Sequence, residues 1–75
     1  MNPSKGDRPL PRYREGQVFE GFAFGRPITV TLDYPEWIDY AGPHEFWSWH
    51  AKTQYGGGAR LAEHILATEF QEVGS

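Results

Sequence analysis

A chain of 75 residues with a net charge of −3 and no cysteine makes one small domain with neither a disulfide nor a thiolate metal site to staple it, so its stability must come from burial. Twelve aromatic residues supply the apolar area for that. No stretch approaches the ~20 apolar residues of a membrane span and the first residues lack the apolar core of a signal peptide, so the expectation is a soluble, cytoplasmic protein.

Met1 to Gly16 carries Lys5, Arg8, Arg12 and Arg14 against Asp7 and Glu15, a balance of +2, whereas the remainder carries −5. Residues 1–16 contain three prolines and two glycines, show no period, and are expected to form a flexible basic arm. Arg8-Pro9-Leu10-Pro11-Arg12 favours polyproline II and bears a faint likeness to a ligand for an aromatic groove, although its final proline is missing. A basic arm on an acidic body does not suit binding of duplex nucleic acid, which calls for a basic face. It suits a protein partner with charged surfaces, mimicry of nucleic acid, or an ordinary solvated surface with a stray basic tail.

Residues 17–73 read as a single α+β domain. Gln17 to Phe24 has strand alternation that slips at Gly21, where a bulge would bring Phe19 and Phe22 to one face. Gly25-Arg26-Pro27 is a turn, and Ile28 to Tyr34 then alternates with Ile28, Val30, Leu32 and Tyr34 inward, which predicts a hairpin over about Gln17 to Tyr34. Pro35 is placed to stop the strand and open a short helix, Pro35 to Ala41, capped by Gly42 and blocked by Pro43. A third strand follows near Phe46 to His50, with Trp47 and Trp49 on one face and Phe46, Ser48 and His50 on the other. Beyond Gly56-Gly57-Gly58, the spacing of Ala59, Leu61, Ala62, Ile65, Leu66, Phe70 and Val73 predicts an amphipathic helix from about Ala59 to Glu72, with Glu69 inside its apolar stripe. Gly74-Ser75 is either a cloning remnant or native sequence. The expected architecture is therefore β-β-short α-β-α: a three-stranded antiparallel sheet with one C-terminal helix packed on one face. One helix covers one side of such a sheet, so part of the aromatic surface of the third strand should stay open to a partner.

Catalytic patterns are weak. His44 and His50 lie about 20 Å apart on a strand at ~3.3 Å per residue, too far to share an ion unless that segment bends, and His64 falls on the polar side of the helix. Ser48 and His50 share a face but have neither an orienting acid nor an oxyanion hole. Glu69 has no second carboxylate placed to complete an acid–base pair. Gly56, Gly57 and Gly58 at a helix N-terminus, with Arg60 in its first turn, would suit a phosphate or nucleotide, but the spacing matches no nucleotide fingerprint; the plainer alternative is a flexible reversing loop.

Trp49, Tyr55, Gly56, Gly57, Leu61, Ala62, Ile65 and Leu66 follow the course of an aromatic strand, Tyr-Gly-Gly and a Leu-Ala-rich helix. In that course the C-terminal third resembles an uncharacterised phage and bacterial domain of unknown function. The chain departs from it by inserting His50 to Gln54 and by lacking the Ser-Gly-Pro that usually follows the glycines. The resemblance implies a phage or mobile-element origin more than an activity, because the family has no established one. In size, charge split and aromatic content the chain is also similar, as a class, to phage host-takeover proteins that bind and inhibit host machines. The function expected is thus a non-enzymatic, cofactor-free, monomeric protein in the host cytoplasm that binds and regulates a large host complex. Bacterial RNA polymerase is the first expectation, a CRISPR or defence complex the second, and a small anion- or nucleotide-binding module the rival. Arg8, Arg12, Arg14, Phe46, Trp47 and Trp49 are the expected partner-binding residues.

Overall fold

The structure, a computed structural model, describes residues 8–23, 25–39 and 45–74. Along them run β1 (Val18–Ala23), β2 (Arg26–Ile38), β3 (Phe46–Thr53), β4 (Gly58–Ala62), α1 (Glu63–Glu69) and β5 (Phe70–Gly74). The strands form one antiparallel sheet in the order β4-β3-β2-β1-β5. This corrects the expected three-stranded β-β-short α-β-α arrangement to a five-stranded sheet with one short helix, α+β in class and mostly β.

Two local choices account for the difference. The first is at Pro35, which does not open a helix: β2 runs through it to Ile38, paired with β3 from Pro35↔Trp49 to Ile38↔Phe46. The pairing of β1 with β2 ends at Thr31, so beyond that point a proline removes no ladder bond to β1. The β2–β3 register also shifts between Leu32 and Tyr34, an irregularity at Asp33 that leaves Tyr34 exposed rather than inward. Tyr40 to Pro43, the rest of the expected helix and its stop, lie outside the described residues.

The second choice is at the glycines. Gly56, with φ of 90°, turns the chain; its N–H donates to the Thr53 carbonyl at 3.1 Å, and the Thr53 N–H donates to the Gly57 carbonyl at 2.9 Å. This closes a hairpin, so 58–62 pairs with β3 from Lys52↔Gly58 to Ser48↔Ala62. Ala59 and Leu61 suit a helical stripe and a strand face equally well, and pairing decides for the strand. Helix remains only over Glu63–Glu69, after which Phe70–Gly74 pairs with β1. Glu69, at the end of this helix, is exposed.

The expected hairpin is present, with Phe19↔Val30 and Gly21↔Ile28 among its rungs, as is the third strand, which extends to Thr53. The bulge expected at Gly21 is absent from the β1–β2 ladder, and Phe22 stands 67% exposed while Phe19 is buried. Gly21 is glycine for another reason: the Phe70 ring lies so close that an added Cβ would sit 2.6 Å from it.

Phe19, Val30, Leu32, Trp49, Ala51 and Leu66 form the buried core, and Tyr13, Ile28, Leu61 and Phe70 pack at its margin. Leu61 and Phe70 come from strands at opposite edges of the sheet, so the sheet curls around this core and α1 spans its mouth. The basic segment from Arg8 to Gly16 is laid against the sheet. Tyr13 packs edge-on to Phe19 with ring centroids 5.0 Å apart, and the Gly16 N–H donates to the Leu32 carbonyl at 2.9 Å. Residues 1–7 lie outside the described ones. No described helix is long and apolar enough to cross a membrane.

Leu66 is fully buried at the centre of the core. Leu66→Ala should therefore cost about 2–5 kcal/mol of stability, much of what so small a domain has. Chemical denaturation of the two proteins checks this, and an unchanged midpoint would show that the helix does not seal the core.

Candidate binding cleft

Trp47 and Trp49 follow each other on the same face of β3, yet their surroundings differ. Trp49 pairs with Pro35 and Leu61 and is 2% exposed under α1, whereas Trp47 pairs with Trp37 near the strand ends, beyond the helix, and is half-buried. A buried indole still needs a hydrogen-bond acceptor for its N–H. Trp49 Nε1 finds it in Glu63 Oε2 at 2.9 Å, and the same oxygen accepts the Arg12 backbone N–H at 2.8 Å. Glu63 opens α1 directly after the last β3–β4 rung, Ser48↔Ala62, which places its carboxylate between core and surface.

From that carboxylate outward a cleft opens, with a volume of about 370 Å³. Trp37 and Trp47 meet edge to face, centroids 5.1 Å apart at 70°. Phe46 packs edge-on to His64, 5.4 Å between centroids. The Arg8 guanidinium lies 5.6 Å from the centre of the Trp37 ring, within cation–π range. Trp47 Nε1 donates to the Pro9 carbonyl at 2.8 Å. Glu45 and Glu63 add carboxylates to the lining.

Of the residues expected to bind a partner, Arg8, Arg12, Phe46 and Trp47 are brought together here. Arg14 is exposed nearby in sequence, its N–H donating to Gln17 Oε1 at 2.6 Å. Trp49 is elsewhere: it belongs to the core and offers no surface. Trp37 and Glu63 were not expected. Trp37 was hidden by the helix assigned after Pro35, and Glu63 by a helix drawn one turn too early. The glycine site is not assembled as expected, because Gly56 and Gly57 form the hairpin turn, Gly58 and Arg60 lie in β4, and the helix starts only at Glu63.

Arg60 instead joins a polar patch on the other face. It pairs with His50, whose Nε2 lies 2.7 Å from Glu36 Oε1 and whose ring stacks on Tyr34 at 4.2 Å. The hydrogen bond from His50 holds the Glu36 carboxyl below its ordinary value of 4.5; desolvation opposes it, and the charges of Arg60 and His50 add lesser help. Ser48, on the same face, is buried, and Glu36 gives His50 the acidic partner that the sequence left unassigned.

Comparison with protein-family models, curated proteins and solved structures finds no match for the chain.

Glu63→Ala should strand the Trp49 N–H and release the Arg12 N–H together, destabilising the fold by about 1–3 kcal/mol, with Glu63→Gln milder because its amide oxygen still accepts. The Trp49 indole proton signal and the denaturation midpoint report both effects; an unperturbed indole in Glu63→Ala would disprove the link. For the patch, a carboxylate whose folded pKa is depressed stabilises the fold above its unfolded value and loses that contribution as pH falls through the folded pKa. Wild type should therefore lose its advantage over Glu36→Gln as pH drops below 4.5. Urea midpoints of both proteins between neutral and acid pH test it, and a pH-independent gap would refute it.

Proposed function

We propose that the chain is a non-enzymatic binding protein that engages a large host protein complex through the Trp37–Trp47 cleft and its Arg8–Arg14 margin. The observation that carries this is the pair of half-buried tryptophans meeting edge to face beside an arginine around an open cleft. Tryptophan and arginine are the residues most enriched where binding energy concentrates, since each joins large apolar area to a directional polar group. The +2 balance of residues 1–16 against an acidic remainder suits a partner with charged surfaces of its own, and the arginines would speed its capture. The class likeness to phage host-takeover proteins makes bacterial RNA polymerase the first complex to test and a CRISPR effector the second; the outcome for the host would be altered or blocked activity of the bound machine.

Titration of the purified chain into each complex tests this. Trp37→Ala or Trp47→Ala should weaken binding by roughly 30-fold or more, the effect of removing a residue that carries about 2 kcal/mol. Replacing Arg8, Arg12 and Arg14 with alanine should slow association and flatten its salt dependence. Melting curves confirm that each variant is folded. Undiminished affinity of the tryptophan variants would take the cleft out of the account, and absence of binding to either complex would remove the host-machine reading.

A further inference from the structure

We infer that the Trp37–Trp47 cleft is a groove for a proline-rich, arginine-bearing peptide of a partner, and that the chain's own Arg8-Pro9-Leu10-Pro11-Arg12 segment occupies it in cis as a replaceable ligand. This rests on the binding reading and gives it a ligand class. Pro9 and Pro11 fix their own φ near −65° and bias Arg8 and Leu10, which precede them, toward extended backbone, so the segment is predisposed to polyproline II. Such a strand makes no internal hydrogen bonds, and its carbonyls must be met by donors on whatever receives it. Grooves that bind it supply aromatic walls and a side-chain donor.

The cleft has both. Its walls are Trp37, Trp47 and Phe46, and the Trp47 indole donates to the Pro9 carbonyl at 2.8 Å. Charge agrees as well. Glu45 and Glu63 line the cleft, Arg8 lies over Trp37, and the Arg12 N–H is held by Glu63. The receiving surface is therefore acidic and aromatic, and the segment seated on it is basic and proline-rich.

The cis segment fills this groove poorly. Leu10 is 89% exposed, and about 370 Å³ remains open between the segment and the strand ends. Among the described residues it is held there by two hydrogen bonds and one cation–π contact, all at the surface. A tethered ligand competes at a local concentration in the millimolar range for a short linker. A partner peptide that seats an apolar side chain in the open volume would displace it, and its apparent affinity would be reduced by the fraction of molecules in which the segment is seated.

The test uses the full chain, wild type and Pro9→Ala/Pro11→Ala, which loosens the segment's extended bias while leaving the core untouched. The probe is a synthetic peptide with the sequence of residues 6–14. The readouts are the tryptophan indole N–H resonances, assigned with Trp47→Phe. The variant should bind the peptide saturably with a shift of the Trp47 resonance, about tenfold more tightly than wild type if the open state is about a tenth populated in wild type. A peptide with both prolines replaced by alanine should not bind. The Trp49 resonance, anchored by Glu63, certifies the fold. Absence of a Trp47 shift in the folded variant at millimolar peptide overturns the ligand assignment, and equal affinity in the two proteins overturns the cis competition. A concentration-dependent dimer that the peptide fails to dissociate would give the groove to a second copy and overturn both. If the peptide fails while a host complex still binds in a Trp47-dependent way, only the ligand class is lost; if both fail, the binding reading falls with it.

Discussion

Glu63 Oε2 accepts N–H groups from two places distant in sequence, the Trp49 indole at 2.9 Å and the Arg12 backbone at 2.8 Å. Much else follows from this one oxygen. Trp49 is the largest of the fully buried side chains, and in a chain without cysteine its apolar area is an important part of what holds the fold. Burying an indole without an acceptor would forfeit part of that gain. An acceptor must therefore stand at the margin of the core, close enough to reach in, and half-buried Glu63 takes that place. The first residue after the β3–β4 ladder is such a place, and occupying it ends the strand and starts the helix. The other lone pair of the same oxygen takes up the Arg12 backbone N–H and brings the basic segment onto the sheet.

The extent of α1 then divides β3 into two territories. Trp49 and Trp47 share a face two residues apart; the helix covers the first, while only its opening residues, Glu63 and His64, border the cleft that holds the second. Had the helix run from Ala59 to Glu72, as its apolar spacing suggested, β4 and β5 would not exist and their edges would be unpaired. Instead β4 and β5 satisfy the backbone of β3 and β1, while the strand ends at Trp37 and Trp47 are left without cover from α1. The proposed binding surface is thus the part of the core-making face that the helix leaves uncovered. Its residues are aromatic for the same reason as the core: cross-strand aromatic pairs stabilise the sheet whether or not anything lies above them.

How far the sequence disclosed this differs from element to element. The β1–β2 hairpin and the alternation of β3 were legible because period-two patterns bounded by Gly and Pro have few other interpretations. Pro35 misled because a proline marks the end of a strand only where both sides are paired, and which side of β2 is free is a property of the whole sheet. Leu61, Ala62, Ile65 and Leu66 misled because a helical stripe and a strand followed by a short helix place the same apolar residues; only the hairpin at Gly56 separates the two. Of the cleft, the arginines and Trp47 were legible as types of residue. Trp37, Glu63 and the burial of Trp49 were not, since each depends on a contact between segments far apart in the chain.

The proline-rich segment was weak as a motif, because its spacing lacks a final proline, and it gains meaning only from what it touches. Taken alone, two prolines between arginines describe a stiff, charged stretch with little to bury. Set against Trp37, Trp47 and Glu63, the same stiffness becomes an advantage: an already extended backbone loses little entropy when it is held, so few contacts suffice. That economy also makes it easy to replace. Neither proline is part of the core, Leu10 points into solvent, and the contacts that seat the segment would all find water or another peptide if it left. The charge split of the chain then acquires a physical role, since the basic segment partly neutralises the acidic rim of the cleft, the place that the proposed partner peptide would take.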